Sequence, residues 1–291
     1  MSRKSTNFSS PLPTLKVLFS GFYFYHFILL SFGGRIFEKK KKGSLTYEKS
    51  LKIFATSKWF DLFGVALVVG IAIASGYLNS RLDKFVDWGS WTALVPFGLI
   101  SVTNVGISML STRFTGKLSK WGNYFGIVNT LLFGAIDYIL GNKAAIITYP
   151  VTFLIYTFAI KKWEASQEGR PNQMSQKQVK LAAIIISIIA FLFAFVTNYI
   201  GYEGKMDLLA YVTTIAFALS LIANALNALK LTTQWGFWLI YNFVQLTKAG
   251  IQGNFANIGK YIFYILNAIG ALFVWNDEEV RYIEGNSNKE Y

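Results

Sequence analysis

The sequence predicts an all-α membrane protein: eight transmembrane helices in two parallel repeats, preceded by an N-terminal amphipathic helix lying in the membrane interface. Composition is the first observation behind this reading. Of 291 residues, 53% are hydrophobic and only 15% are charged, too apolar for an ordinary soluble domain. Length is the second. Eight apolar runs, at 59–79, 90–111, 121–140, 143–160, 180–201, 207–229, 235–251 and 257–274, lie near the ~20 residues needed to cross a hydrocarbon core. Continuous runs, rather than alternation, select helices over barrel strands. Duplication is the third. Asp87, Phe97 and Asn104 fall on Asp207, Phe217 and Asn224, 120 residues apart. Trp121-Gly122 falls on Trp235-Gly236, 114 apart. Gly141-Asn142, Tyr149 and Trp163 fall on Gly253-Asn254, Tyr261 and Trp275, 112 apart. Copies of four spans enter from the same side, an architecture that holds a solute between two halves.

The segments follow in order. Residues 1–57 form a cytoplasmic N-terminus, 58–163 the first membrane repeat, 164–179 a cytoplasmic linker, 180–275 the second repeat and 276–291 a cytoplasmic tail. Within the first segment, residues 15–37 are apolar, and Phe19, Phe22, Tyr23, Phe24, Tyr25 and Phe27 surround His26, the single histidine. Aromatic rings with polar tips favour the headgroup level, so an in-plane helix is expected here rather than a ninth span. Lys39 to Lys42 form a basic run. It either attracts anionic lipid or serves as a solvated topology anchor. No charged n-region followed by a small-residue cleavage site is present at the start, so no removable signal is expected.

The formal net charge is +13, which raises the question of nucleic acid. The distribution answers it. Residues 1–58, the loops at 112–120 and 161–180, Lys230, Arg281 and Lys289 carry 22 of the 28 Lys and Arg. The other side carries six: Arg81, Lys84, Lys143, Lys205, Lys248 and Lys260. This asymmetry is topological, places both termini in the cytoplasm, and argues against nucleic-acid binding. Cysteine is absent, which removes disulfides and thiolate metal sites. There is no phosphate loop and no HExxH motif, and one histidine supports neither a His-based triad nor a multi-histidine metal site. The chain is not expected to be an enzyme or to need a cofactor.

Ion-coupled carriers usually hold carboxylates or histidines inside the membrane. Here Asp61 and Asp207 sit at segment starts, Asp137 and Lys248 lie near segment ends, and no Lys or Arg occupies a span centre. The inventory is one of amides: Asn104, Asn123, Asn129, Asn224, Asn227, Asn242 and Gln245. It suits a neutral or singly charged polar solute moved by facilitated diffusion. A phosphate finds no cation in this core and is expected to be refused.

One helix face stands out. From Trp235, positions i, i+3, i+7 and i+10 share a side: Trp235, Trp238, Asn242 and Gln245, flanked by Tyr241. Indoles stack on flat rings and attract cations. Amides both donate and accept, so they suit a carboxamide or ribose hydroxyls. Each residue also has an ordinary reading. Trp235 fits an interfacial belt, and the amides fit interhelical hydrogen bonds. At the 114 offset the first copy presents Trp121, Tyr124, Val128 and Leu131. Its polar stripe is instead Asn123, Thr130 and Asp137, and Asn104 and Asn224 are expected at matching depth. Pro96 is expected mid-helix, where it removes a hydrogen bond and bends the span.

These residues resemble the PnuC family of vitamin transporters. The resemblance covers roughly 57–276 and rests on the duplicated helix set, Trp235-x-x-Trp238 with Asn242, the helix Tyr261 to Tyr264, and the stretch Asn267-Ala-Ile-Gly270-Ala-Leu-Phe-Val-Trp275. It implies a SWEET-like arrangement of three-helix bundles at about 90–160 and 207–275, with a helix before each (1+3+1+3). It further implies uptake of nicotinamide riboside across the bacterial inner membrane, a homotrimer, and trapping by a cytoplasmic riboside kinase. The implied site comprises Trp235, Trp238, Tyr241, Asn242, Gln245, Asn123, Thr130, Asn104, Asn224 and Trp121. Thiamine, riboflavin or a sugar remain alternatives, as does a membrane receptor or scaffold that does not translocate. The second copy departs from the first where Tyr149-Pro150 is matched by Tyr261-Ile262.

Overall fold

Ser57 starts the first described helix by accepting the Phe60 N–H at 3.2 Å, which satisfies one of the donors a helix start leaves open. The computed structural model describes residues 56–166, 169–172 and 174–287, with side chains described to 278. The expected interfacial helix and basic run lie outside them. Helix α1 spans Lys58–Ala74, and three short 3₁₀ turns follow at Tyr77–Asn79, Leu82–Lys84 and Ser90–Leu94. The first bundle is α2 (Phe97–Gly116), α3 (Trp121–Ile139) and α4 (Ala145–Glu164). Helix α5 (Gln176–Gly201) begins with a capping box between Ser175 and Gln178. The second bundle is α6 (Leu208–Ala228), α7 (Gln234–Ile251) and α8 (Phe255–Ser287). No strand occurs among the described residues.

Two expected boundaries change. Pro96 is not mid-helix. Val95 before it is extended (φ −84°, ψ 118°), as a residue preceding proline prefers, and α2 starts after the proline. The same helix continues past the expected end at 111 to Gly116. It carries Arg113 inward, where the guanidinium pairs with Asp61 of α1, donates to Asn267 Oδ1 of α8 at 2.7 Å and lies 4.9 Å from the Phe60 ring centroid. Helix α8 likewise runs to Ser287, through most of the expected tail.

Within each bundle, α3 packs on α2 and α4, and α7 packs on α6 and α8. The bundles meet where α2 touches α8 and α4 touches α6. Helix α1 rests mainly on α8, and α5 mainly on α6. By length and composition α5, α6 and α8 are apolar enough to cross a membrane. Helix α5 shows why. Ile184, Ile185, Ile188, Ile189 and Leu192 are exposed, and the buried side is a stripe of Ala183, Ala190 and Ala194 that ends in Thr197 and Asn198. Small residues allow close helix approach where lipid supplies no hydrophobic drive. Gly126 does the same inside the first bundle: a Cβ there would lie 2.3 Å from the Tyr156 ring.

One register relates the halves throughout. Leu118 and Lys230 end α2 and α6 in the left-handed region (both φ 59°), and Gly141 and Gly253 do so after α3 and α7 (φ 98° and 64°). Asn142 N–H bonds Asp137 O, and Asn254 N–H bonds Ala249 O. Every pair is 112 residues apart. The offsets of 120 and 114 suggested by Asn104/Asn224 and Trp121/Trp235 are therefore out of structural register.

The ends of this relation are crosswise. Trp163 Nε1 of α4 donates to Asn227 O of α6 at 2.7 Å. Its mate Trp275 of α8 donates to Thr115 O of α2 at 3.2 Å, and Thr115 is the mate of Asn227. The two indoles are buried side by side, centroids 6.0 Å apart.

Candidate functional site

Between the bundles lies a cavity of ≈ 110 Å³, room for several water molecules. Its walls are built from matched positions. Ser108 and Ser220, Thr112 and Asn224, and Thr115 and Asn227 face it from α2 and α6. Asn129 and Tyr241, Thr130 and Asn242, and Phe133 and Gln245 face it from α3 and α7. Thr148 and Lys260, Tyr149 and Tyr261, and Thr152 and Tyr264 face it from α4 and α8. Each pair is again 112 apart, so one backbone plan presents two different sets of side chains.

Seven of the ten residues expected to form the site line this cavity: Trp235, Trp238, Tyr241, Asn242, Gln245, Thr130 and Asn224. Trp235 is 2% exposed, so it is no interfacial belt residue. It stands edge-on to Trp275, and its Nε1 has no hydrogen-bond partner. Trp238 stands edge-on to Tyr241 at 5.1 Å, and Gln245 Nε2 donates to Tyr241 Oη at 2.8 Å. The Oδ1 atoms of Asn224, Asn227 and Asn242 are buried without a hydrogen-bond partner. Buried polar groups are nearly always satisfied, so these atoms mark where a polar ligand or water bonds. Thr130 already donates to Gly126 O at 2.8 Å, leaving only its oxygen to offer.

Three expected residues are placed elsewhere. Trp121 is 54% exposed on the outer surface against Tyr124. Its supposed stripe partners Val128 and Leu131 are exposed too. Asn123 is buried between bundles, accepting from Asn227 Nδ2 at 2.7 Å. Asn104 is buried on α2 away from the cavity. Trp121 and Asn104 were paired with Trp235 and Asn224 by the recurring Trp-Gly dipeptide and asparagine, which are out of step with the 112-residue relation.

The largest omission concerns charge. A core without cations was expected, yet Asp137, Lys248 and Lys260 all line the cavity, each at most 2% exposed. Lys248 Nζ donates to Asp137 Oδ2 at 2.7 Å. Asn142 Nδ2 and Tyr149 Oη donate to the same oxygen at 2.6 and 3.0 Å, and Gln252 Nε2 donates to Oδ1 at 2.9 Å. This cluster ties α3 to α7, one bundle to the other. Asn142 is itself steadied by Tyr202, which follows α5 and whose hydroxyl donates to Asn142 Oδ1 at 3.3 Å. Burial pushes the Tyr202 phenol up to about 12, so it remains a donor. Lys260 has no such partner: its Nζ sits over the rings of Phe133 and Tyr261, 4.1 and 4.5 Å from their centroids.

A helical protein with a polar, aromatic-walled cavity between two matched bundles has the form of a membrane carrier. Residues 98–277 match the family described as nicotinamide mononucleotide transporter, over more than half of the chain. The chain belongs to that family of membrane transporters, which is not a family of enzymes. A solved structure described as "Crystal structure of the Vitamin B3 transporter PnuC" is similar, with a TM-score of 0.58 over 77% of this chain and 93% of its own, at 13% identity. That likeness shows a shared fold. No curated protein matches the sequence.

Proposed function

We propose that this protein takes up nicotinamide riboside by facilitated diffusion through a bacterial inner membrane, with both termini cytoplasmic. Its cavity is the substrate site. The observation that carries the reading is the pairing of aromatic faces with unpartnered amide oxygens: Trp235, Trp238 and Tyr241 beside Asn224 and Asn242. A pyridinium ring gains from stacking and cation–π contact, its carboxamide N–H groups suit the amide oxygens, and its ribose hydroxyls suit Gln245 and Thr130. Asp137 is neutralised by Lys248 and accepts from three further donors, which favours unassisted diffusion over coupling to an ion. Eight spans in a 1+3+1+3 SWEET-like order, rocking about the central cavity, would provide alternating access. A homotrimer, and a cytoplasmic riboside kinase that traps the product, complete the reading.

Titration calorimetry of the detergent-purified protein tests it, with nicotinamide riboside and thiamine as probes, followed by riboside flux into liposomes. Micromolar or tighter riboside binding together with flux is expected. Thiamine binding alone would replace the substrate, and binding without flux would make the protein a receptor.

A further inference from the structure

Among the described residues, Asp137 is the only carboxylate and Lys248 and Lys260 the only basic side chains on the cavity wall. Asp137 and Lys248 neutralise one another across 2.7 Å, and Asp137 also accepts from Asn142, Tyr149 and Gln252. Lys260 is left over. Among the described residues it forms no ion pair and no hydrogen bond, and it is 1% exposed. The rings of Phe133 and Tyr261 hold its Nζ in place but accept no proton from it. A buried ammonium without a counter-charge is costly, and a ligand that supplies the counter-charge recovers that cost on binding.

We propose that Lys260 is a carboxylate-binding residue, and that the substrates of this cavity include pyridine ribonucleosides bearing a ring carboxylate. This rests on the pyridine-nucleoside reading above and sharpens it. The wall carries one formal positive charge, so the single negative charge of a carboxylate balances it. A phosphomonoester, at about −1.5 to −2 near neutral pH, overshoots. The ring has a place to stand. Tyr241 lies edge-on to Tyr261 with centroids 6.2 Å apart, and Lys260 Nζ lies 4.5 Å from Tyr261. A pyridinium against Tyr241 therefore brings its carboxylate within reach of the ammonium. The mate of Lys260 in the first half is Thr148, so the feature belongs to one half only and fixes one orientation of an asymmetric ligand.

Calorimetry of the full-length detergent-solubilised protein decides it, using the amide riboside, the acid riboside and the amide mononucleotide as probes. The wild type is expected to bind the acid riboside at least tenfold more tightly than the amide. Lys260→Gln should cut that ratio at least tenfold, and Lys260→Arg, which keeps the charge, should preserve the preference. A wild type that binds the amide riboside as tightly as the acid overturns this inference alone, as does a Lys260→Gln ratio equal to wild type. Tight binding of the mononucleotide in place of the acid, lost in Lys260→Gln, overturns the carboxylate in favour of phosphate. Folded protein that binds none of the three overturns the nucleoside reading and this inference with it. The wild-type ranking needs no variant, so a Lys260→Gln chain that fails to fold still leaves the decision to be made.

Discussion

On α3 the cavity receives Thr130 and Phe133; on α7, 112 residues later, it receives Asn242 and Gln245. On α4 it receives Thr148 and on α8 Lys260. The turns that set these positions are the same in both halves, down to the left-handed residues at 118 and 230 and at 141 and 253. Duplication here preserved backbone geometry while the lining diverged: at matched positions the first half presents hydroxyls and Phe133 where the second presents amides and Lys260. A ligand with unlike ends needs that divergence, whereas a symmetric pore would not.

Asp137→Asn tests the comparison most severely. Only the first half supplies a carboxylate, its mate being Ala249, and Lys248 depends on it. Removing one partner of a buried pair is expected to cost about 3–5 kcal/mol, read as a fall in the unfolding midpoint in detergent. Adding Lys248→Met should restore most of the loss, and a single variant as stable as wild type would mean the cluster does not hold the bundles together. Next in size, Trp238→Ala should weaken riboside binding by roughly 1–3 kcal/mol, as loss of ring stacking does elsewhere. Unchanged affinity in a folded variant would remove Trp238 from the site. The crosswise indole bonds should be equivalent, so Trp163→Phe and Trp275→Phe should each cost about 1 kcal/mol of stability. Clearly unequal losses would show that the halves share the bond without sharing its weight. The smallest effect belongs to Trp121→Ala. Exposed on the outer surface, it should alter riboside affinity by less than about 0.5 kcal/mol, and a larger loss would restore the 114-residue register.

The helices were legible because each is a long apolar run bounded by turn residues, and the cavity-facing stripe of α7 was legible because Trp235, Trp238, Asn242 and Gln245 keep helical spacing. Pro96 was misread because hydropathy does not register that a proline starts a helix as readily as it bends one. The first half's contribution was misread for a different reason. Trp121 and Asn104 look like mates of Trp235 and Asn224 by residue type, but a helix rotates about 100° per residue, so the two-residue slip at Trp121 turns its stripe outward, and the eight-residue slip at Asn104 moves it about two turns along α2. Asp137 and Lys248 were placed near span ends, and Lys260 was counted among the charges of the far side. Sequence could not show that depth and exposure part company here, since a polar residue near a helix end is either solvated or sealed by the neighbouring bundle.

The crosswise indole bonds also bear on how the chain is made. Trp163 is synthesised 64 residues before Asn227, and Thr115 precedes Trp275 by 160. At roughly 5–20 residues per second, the longer gap is on the order of 10–30 s. The Thr115 carbonyl waits for its partner through that longer gap, and the Trp163 indole through the shorter one. Neither set can finish folding alone, so a chain cut between them should assemble only when both pieces are made in the same cell.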